Sequence, residues 1–164
     1  MIIKELYDNI YPNTGFTTIR TTVRGLVFKG DLMAMVHIKC TDGFGLRDHF
    51  EIPGGGIEVG ENELVALHRE IEEELGYKIQ INQKLGTVID RWNYLERINV
   101  HQFYICDYLE EGNRKLTEYE KEVIVAIVWH TVDEWLQILS VPVKGINKLI
   151  HDREKAVLKA YLTK

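Results

Sequence analysis

The sequence predicts an α/β (α+β) fold in which helices cover a mixed β-sheet. Three observations lead to this prediction: several apolar, β-branched runs typical of strands, one amphipathic helix in the middle of the chain, and two helical segments near its end. The chain has 164 residues, which is enough to bury a substantial core, and we expect a single domain over residues 1–164.

The first half of the chain is predicted to fold mainly as strands. Two runs rich in β-branched and apolar residues, Thr17–Phe28 and Leu32–Lys39, meet at the turn signal Lys29-Gly30-Asp31 and predict a β-hairpin. Residues 40–48 are mostly polar and contain glycine, which predicts a loop. Gly54–Gly56 predicts irregular backbone, since successive glycines allow another group to approach the chain closely.

The second half is predicted to contain both strands and helices. Three strand-like runs follow the middle helix, over Lys78–Arg91, Arg97–Asp107 and Val123–His130. A charged loop is expected before the last of them, over Glu110–Glu122. Two late helices are predicted, over Asp133–Leu139 with Thr131 as its cap and over Gly145–Leu162.

The composition limits the class of partner. A formal net charge of −5 argues against a nucleic-acid backbone, but a bound cation would still allow a small anionic substrate. No apolar run approaches the roughly 20 residues that span a bilayer, and the N-terminus lacks the features of an export signal. We therefore expect a cytoplasmic protein with reduced Cys40 and Cys106 that binds a small molecule, not nucleic acid or a membrane. A homodimer is left open.

The middle helix has recognisable ends and a core face. Asn62 can cap its first turn, and Gly76 suits the left-handed position that follows the last turn. At about 100° per residue, one narrow stripe of apolar side chains predicts the core face: Leu64, Leu67, Ile71 and Leu75.

Three glutamates form a second stripe on this helix. Glu70, Glu73 and Glu74 converge at spacings of three and four residues, whereas Glu72 points elsewhere and is expected to be solvated. Each like-charged pair costs an isolated helix about 0.2–0.5 kcal/mol, and no lysine follows to offset the repulsion. A solvated acidic face is the simpler interpretation, but carboxylates near the end of a helix also oppose its dipole. The cluster therefore indicates a divalent cation, since Mg²⁺ prefers carboxylate, water and phosphate oxygens.

Residues 55–77, GGIEVGENELVALHREIEEELGY, extend this cluster into a longer motif. They resemble the Nudix box, G-x5-E-x7-R-E-U-x-E-E-x-G-U, in which U is a bulky apolar residue. The matching positions are Gly55, Glu61, Arg69, Glu70, Ile71, Glu73, Glu74 and Gly76. Tyr77 departs from the pattern, because an aliphatic residue is usual there, but a packing position tolerates tyrosine.

The resemblance implies a fold and an activity. The fold is the Nudix-type α/β/α sandwich with a mixed β-sheet. The activity is hydrolysis of the diphosphate linkage of a nucleoside diphosphate derivative, by water attacking phosphorus with Mg²⁺ or Mn²⁺ present. The substrate stays open among a nucleoside triphosphate, ADP-ribose, another nucleotide sugar and a dinucleotide. The alternative is a non-catalytic Nudix-fold nucleotide-binding or sensor module.

The resemblance also implies roles for single residues. The metal would be bound by the carboxylates of Glu70, Glu73 and Glu74 and by the backbone carbonyl of Gly55. The other two charged residues of the catalytic motif, Arg69 and Glu61, would pair and brace the loop against the helix. The general base is left open among four carboxylates: Glu70, Glu118, Glu120 and Glu122. Glu120 is also a candidate metal ligand.

Substrate-binding residues outside the motif are less specific. Trp92 and Tyr94 are candidates to stack on a nucleobase, with packing as the alternative interpretation. Several arginines could hold a distal phosphate or a ribose, and the sequence does not select among them: Arg20, Arg24, Arg47, Arg91 and Arg97.

Overall fold

Eight strands, most of them rich in apolar residues, form one mixed β-sheet. The computed structural model describes all residues, Met1–Lys164. The strands are β1 (Ile2–Tyr7), β2 (Thr18–Lys29), β3 (Leu32–Asp42), β4 (Gly45–Glu51), β5 (Gly54–Gly56), β6 (Tyr77–Trp92), β7 (Arg97–Glu111) and β8 (Ile124–His130). The helices are α1 (Glu63–Leu75), α2 (Glu118–Val123), α3 (Val132–Ser140) and α4 (Ile146–Leu162).

The sheet opens between two of its strands. Its order is β1-β6-β7-β2-β3-β4, with β5 beside β2 and β8 beside β3. The pairs β2–β7 and β1–β6 are parallel, and the other neighbours are antiparallel. The predicted hairpin of β2 and β3 is present, but the strands pair only at its turn, through Phe28–Met33 and Lys29–Leu32. Beyond the turn they separate, and this leaves an opening between the two halves of the sheet.

Helices cover both faces of the sheet. Side chains along β2 alternate, so that Val23 and Val27 pack in the cluster under α1, whereas Leu26 and Phe28 pack in the cluster of α3 and α4. Gly25 lies on the α1 side, where an added Cβ would be 3.2 Å from the Cδ1 atom of Ile71. The glycine therefore lets α1 approach the sheet closely. The α/β/α sandwich with a mixed sheet is confirmed.

α1 has the predicted ends but a different rotation. The Asn62 side chain accepts hydrogen bonds from the N–H groups of Leu64 and Val65, and Gly76 ends the helix with a φ of 76°. The buried residues of α1 are Ala66, Leu67, Ile71, Glu74 and Leu75. Leu64 was expected in the core but is 48% exposed, so this part of the prediction is wrong. α1 is rotated about its axis so that the side with Ala66, Glu70 and Glu74 faces the protein interior, and Leu64 is therefore exposed to solvent.

Two segments of the first half are more regular than predicted. Residues 40–48 were expected to form a loop, but β3 and β4 continue through them to a tight turn in which the Asp42 side chain accepts a hydrogen bond from the N–H of Phe44. Gly54–Gly56 was expected to be irregular, but it forms β5, which pairs with Thr22–Arg24 of β2. The separation of β2 from β3 leaves that edge of β2 free for β5 to occupy.

Two further differences lie in the second half and at the N-terminus. The segment Glu110–Glu122 is only partly a loop, because β7 runs to Glu111 and a capping box formed by Thr117 and Glu120 starts α2. The first strand, β1, was not predicted, because most of its side chains are exposed and carry no alternating pattern. Both cysteines are free, as expected. None of the helices combines the length and the apolar character that a membrane crossing would require.

Candidate active site

A cavity of about 510 Å³ lies at the opening between the two halves of the sheet. Its carboxylate side chains are those of Asp42, Glu51, Glu70, Glu74 and Glu120. Its guanidinium groups are those of Arg20, Arg24, Arg47, Arg97 and Arg153. A cavity that contains both signs of charge suits an anionic ligand that binds together with cations.

Glu74 is the most buried carboxylate that α1 contributes to this cavity. Only 8% of the residue is exposed, and its Oε2 atom accepts a 2.8 Å hydrogen bond from the N–H of Gly54. Burial, together with the nearby charge of Glu51, raises the pKa of Glu74 to about 8. No arginine or lysine forms an ion pair with it, so a cation bound from solution would favour its ionised form.

Glu70 lies directly against the glycine strand. A Cβ added to Gly55 would be 2.3 Å from the Oε2 atom of Glu70, so a larger residue at this position would displace the carboxylate. Burial raises the pKa of Glu70, although the ion pair of Glu70 with Arg69 at 2.9 Å opposes this. The glycine backbone and the carboxylate are therefore next to each other on the wall of the cavity.

Arg69 connects the glycine strand to the helix. It donates hydrogen bonds of 2.7 and 2.8 Å to the two carboxylate oxygens of Glu61, and one of 3.0 Å to the carbonyl of Gly56. The Arg69–Glu61 pair that the resemblance implied is present in the structure. Hydrogen bonds from Arg69 lower the pKa of Glu61 to about 2, so this carboxylate stays ionised near neutral pH.

The remaining glutamates of α1 face other groups. Glu73 is an expected metal ligand, but it does not line the cavity, and its carboxylate forms an ion pair with Arg69 at 3.1 Å. Arg69 therefore offsets part of the repulsion among the glutamates, for which the sequence offers no lysine partner. Glu72 is only half-buried rather than fully solvated, and it accepts a hydrogen bond from the N–H of Asn113.

The residues that are present fit a divalent cation. Glu70 and Glu74 place carboxylate oxygens on one wall of the cavity, and the glycines leave space for a backbone carbonyl beside them. No three acidic, histidine or cysteine side chains already form a compact cluster. Water and substrate oxygens would complete the coordination, as is usual for Mg²⁺. A donor set made only of oxygens favours Mg²⁺ or Mn²⁺ over softer metals.

A family model described as NUDIX domain matches residues 19–148. The chain belongs to the Nudix family. This confirms the resemblance that the box indicated and, at the level of the family, the prediction of a Nudix pyrophosphohydrolase. A comparison with curated proteins finds no significant match.

Solved structures of Nudix proteins have the same fold. A NUDIX hydrolase from Nitrosomonas europaea superposes with a TM-score of 0.67 at 19% identity, over 88% of each chain. The MutT protein from Methanosarcina mazei Go1 has a TM-score of 0.66 at 14% identity, over 93% of this chain and 98% of that one. An ADP-ribose pyrophosphatase from Streptococcus suis has a TM-score of 0.54 at 16% identity, over 87% and 91% of the two chains.

α2 brings one of its three candidate carboxylates to the Nudix site. Glu120 lines the cavity, and its carboxylate accepts hydrogen bonds of 2.7 and 2.8 Å from the N–H and hydroxyl of Thr117. Glu118 and Glu122 do not line the cavity, and Glu118 pairs with Lys121. Of the four candidates for the general base, Glu70 and Glu120 line the cavity.

The two predicted stacking residues occupy different environments. Trp92 lines the cavity but is only 8% exposed and packs on Ile146 and Ile150, while its indole N–H is buried without a partner. Tyr94 is 52% exposed and does not line the cavity. Phe44, which the sequence did not suggest, lines the cavity and contacts both rings edge to face, at centroid distances of 5.3 and 4.9 Å.

A buried polar network forms another wall of the cavity and was not anticipated from the sequence. His101 contacts Thr22 at 2.7 Å and Asp90 at 2.9 Å, and Arg153 is an ion-pair partner of both Asp90 and Glu51. Burial opposes ionisation of Glu51, but nearby groups, with Arg24 first, hold its pKa at about 2. The one usable signal in the sequence is the position of Glu51, three residues before the glycine run.

The structure also shows which of the five candidate arginines line the cavity. Arg20, Arg24, Arg47 and Arg97 all line the cavity. Arg91 does not, because Trp92 is the residue of β6 that pairs with Arg97, so Arg91 lies on the opposite face of the sheet, where it pairs with Glu5 at 3.0 Å.

Proposed function

We propose that this Nudix protein is a Mg²⁺-dependent hydrolase, also served by Mn²⁺, that cleaves the diphosphate linkage of a nucleoside diphosphate derivative. One observation carries the proposal: the paired placement of Glu70 and Glu74 against the glycine strand, in a cavity that also contains five arginines. Carboxylates that hold cations and guanidiniums that hold phosphate are the two requirements of phosphoryl transfer.

The side chains divide these tasks between them. Glu70, Glu74 and the carbonyl of Gly55 would hold the metal, with Glu73 as a further ligand once it leaves Arg69. The metal, when bound, neutralises the diphosphate and acidifies a water. Arg69 keeps the glycine strand in register with α1, because it binds Glu61 and the carbonyl of Gly56 together.

The reaction is a hydrolysis that balances without a further reactant. The oxygen of a water molecule bonds to one phosphorus, and the bond from that phosphorus to the bridging oxygen breaks. The bridging oxygen leaves on the other phosphate. The proton that the water releases goes to Glu70 or Glu120, the two candidate bases that line the cavity.

The names of structural relatives support a nucleotide derivative as the substrate. They include an ADP-ribose pyrophosphatase, a protein described as a UDP-X diphosphatase and an ADP compounds hydrolase. A nucleoside triphosphate, ADP-ribose and other nucleotide sugars therefore stand as the proposed classes. A small molecule is the proposed partner, and nucleic acid is not.

The test is a panel of nucleoside triphosphates, nucleotide sugars and dinucleotides, incubated with Mg²⁺ or Mn²⁺ and analysed for released phosphate, pyrophosphate and nucleoside monophosphate. We expect metal-dependent cleavage of at least one class, and loss of that cleavage in the Glu74→Gln variant. Saturable nucleotide binding with no turnover of any compound would instead identify the non-catalytic binding module.

A further inference from the structure

Arg20 and Arg97 are the two arginines of the cavity without a protein partner. The other three are paired: Arg24 and Arg153 with Glu51 at 3.4 and 3.1 Å, and Arg47 with Asp42 at 3.1 Å. Neither Arg20 nor Arg97 has a carboxylate oxygen within 4.0 Å or donates a side-chain hydrogen bond to the protein. The Nε atom of Arg97 is buried without any partner, as are those of Arg24 and Arg47, but those two arginines have other guanidinium nitrogens in ion pairs. Buried donors of this kind are rare in folded proteins unless a ligand satisfies them.

These two guanidiniums are also close enough to repel each other. In the register of β2 and β7, Arg97 lies beside Thr18 and Arg20 beside Asn99, so the two arginines are two positions apart on adjacent strands. Burial and then the charge of Arg97 lower the pKa of Arg20, although the carboxylates of Glu70 and Glu51 oppose this. Solvent screens part of this repulsion, because Arg20 is exposed and Arg97 is half-buried, and an anion that contacts both would remove the rest.

The glycine strand fixes where these arginines lie relative to the metal-binding carboxylates. The N–H of Gly54 binds Glu74, and a Cβ on Gly55 would collide with Glu70. A Cβ on Gly56 would lie 3.3 Å from the Nη2 atom of Arg20. Successive glycines therefore lie beside Glu74, Glu70 and Arg20, with Arg97 next to Arg20. The arginine pair therefore lies next to the metal-binding carboxylates, at the Gly56 end of the glycine strand.

We propose that Arg20 and Arg97 bind the terminal phosphate of the substrate, so that this enzyme prefers nucleoside triphosphates to diphosphates that end in a sugar. The inference rests on the proposed function, which it makes more specific. A terminal phosphate carries a charge of about −1.5 to −2 at pH 7, which matches two guanidiniums. A sugar hydroxyl can accept a hydrogen bond from a guanidinium, but it would leave both positive charges without a negative partner.

The pair also suits the leaving group of such a reaction. When water attacks the phosphorus next to the nucleoside, the bond to the bridging oxygen breaks, and pyrophosphate leaves with the negative charge gained by that oxygen. Guanidinium groups already directed at this phosphate chain stabilise the developing charge without rearrangement. The nucleoside monophosphate and pyrophosphate are the two products.

The kinetic test compares matched substrates on three variants. We would measure kcat/KM for ATP against ADP-ribose and for UTP against UDP-glucose, with Mg²⁺, in the wild type, Arg20→Gln, Arg97→Gln and the control Arg91→Gln. Arg91 lies outside the cavity and has a surface partner. We expect Arg97→Gln to lower kcat/KM for triphosphates at least tenfold and for sugar derivatives less than threefold, with no change in Arg91→Gln. Equal losses on both classes would overturn the proposal.

A binding measurement separates this proposal from the hydrolase assignment. Calorimetry with inorganic tripolyphosphate and no added metal reports the anion site without any turnover. We expect saturable binding to the wild type that weakens at least tenfold in Arg20→Gln and in Arg97→Gln, but not in Arg91→Gln. Unchanged affinity in the first two variants contradicts the arginine pair, even if hydrolysis is found. Arginine-dependent binding with no hydrolysis of any panel compound instead supports the pair and contradicts the hydrolase.

Discussion

Arg69 donates hydrogen bonds to both carboxylate oxygens of Glu61, at 2.7 and 2.8 Å, and so joins the turn before α1 to the middle of that helix. The same guanidinium also reaches the carbonyl of Gly56 and the carboxylates of Glu70 and Glu73. A single side chain therefore holds the glycine strand in place and reduces the repulsion within the acidic cluster. Arg69, which directly precedes Glu70, is therefore one reason why the repulsion among these glutamates does not disrupt the helix.

Glu61→Gln tests whether the Arg69–Glu61 pair positions the glycine strand against α1. A glutamine keeps the shape of the side chain but loses the charge that pairs with Arg69, so the glycine strand becomes less well positioned against α1. We expect kcat/KM to fall by about 10–100-fold, as is typical when a group that orients metal ligands is changed. The control is Glu58→Gln, which alters an exposed glutamate on the same turn. Identical activities of the two variants in the substrate assay would contradict the bracing role.

Glu74→Gln should remove activity while leaving the fold intact. A glutamine oxygen can still accept the hydrogen bond from Gly54, but it is a much weaker ligand for Mg²⁺ than a carboxylate. Burial raises the pKa of Glu74 to about 8, so its ionised form is disfavoured without metal, and the substitution breaks no ion pair. We expect turnover to fall by at least about 100-fold, with a metal-free melting midpoint no lower than that of the wild type.

The matched control for that substitution is Glu72→Gln. Glu72 lies on the same helix but binds the backbone of Asn113, outside the cavity. Turnover in Glu72→Gln should stay within about twofold of the wild type, since surface substitutions have small effects. Near-wild-type turnover in Glu74→Gln on the true substrate would show that Glu74 is not a required ligand.

The parts of this site that sequence reasoning recovered are local in the chain. The ends of α1 follow from Asn62 and Gly76, whose capping geometry depends only on the nearest turn. The Nudix box has a fixed spacing, so its residues could be numbered before any contact was known. The rotation of α1 was recovered only in part, because the sheet decides which of two adjacent stripes is buried. Leu64, which was expected in the core but is exposed, is the residue for which the prediction failed.

The parts that were missed depend on contacts between distant segments. Glu51, His101 and Arg153 come from β4, β7 and α4, and nothing in their local sequence indicates that they share one wall. The strand formed by Gly54–Gly56 depends on the free edge of β2, which exists only because β2 and β3 separate. Arg91 and Arg97 were equivalent candidates in the sequence, and the register of β6 and β7 places only Arg97 in the cavity.

Gly55→Ala tests the closeness of the glycine strand to Glu70. The added Cβ would be 2.3–2.6 Å from the carboxylate atoms of Glu70, so the carboxylate must move away from the cavity wall. We expect a fall in kcat of about 10–100-fold, because misplacing a reactive group by about 1 Å has this effect. The control is Gly112→Ala, whose Cβ would lie 2.8 Å from the Oε1 atom of Glu72, outside the cavity. Equal kcat values in the two variants would argue against the need for close approach.

Phe44→Leu tests which aromatic side chain contacts the nucleobase. Phe44 and Trp92 line the cavity, but Trp92 is almost wholly buried, so Phe44 has more of its ring free for a base. Stacking on one base is worth about 1–3 kcal/mol, so KM should rise by about 5–150-fold. Tyr94→Leu, which changes a ring outside the cavity, should alter KM less than about threefold. A larger effect in Tyr94→Leu would restore Tyr94 as the stacking residue.

Two buried histidines make the stability of the fold depend on pH. His49 on β4 shares a hydrogen bond of 3.0 Å with Asn147 of α4, and His151 of α4 accepts one of 3.3 Å from the N–H of Phe50. Both residues are at least 96% buried, and each has one ring nitrogen without a partner. Burial lowers the pKa of His49 to about 4 and, assisted by the charge of His49, that of His151 to about 4.

The sign of the effect follows from proton uptake. Unfolded histidines have a pKa of about 6.5, so the unfolded chain binds more protons than the folded chain between about pH 6.5 and pH 4. The stabilising contribution of the neutral histidines is complete above pH 6.5 and is lost as the pH falls through this window. Buried His101, whose pKa is also lowered to about 4, acts in the same direction, whereas Glu74, whose pKa is raised to about 8, acts in the opposite one. The contribution of His151 is therefore measured as the difference between the wild type and His151→Gln in how far the free energy of unfolding in urea falls from pH 7 to pH 5, and we expect about 1–2 kcal/mol. His151→Gln should make this dependence shallower, whereas His68→Gln, at an exposed position on α1, should leave it unchanged. The same slope in all three proteins would show that burial of this pair between β4 and α4 does not control stability in acid.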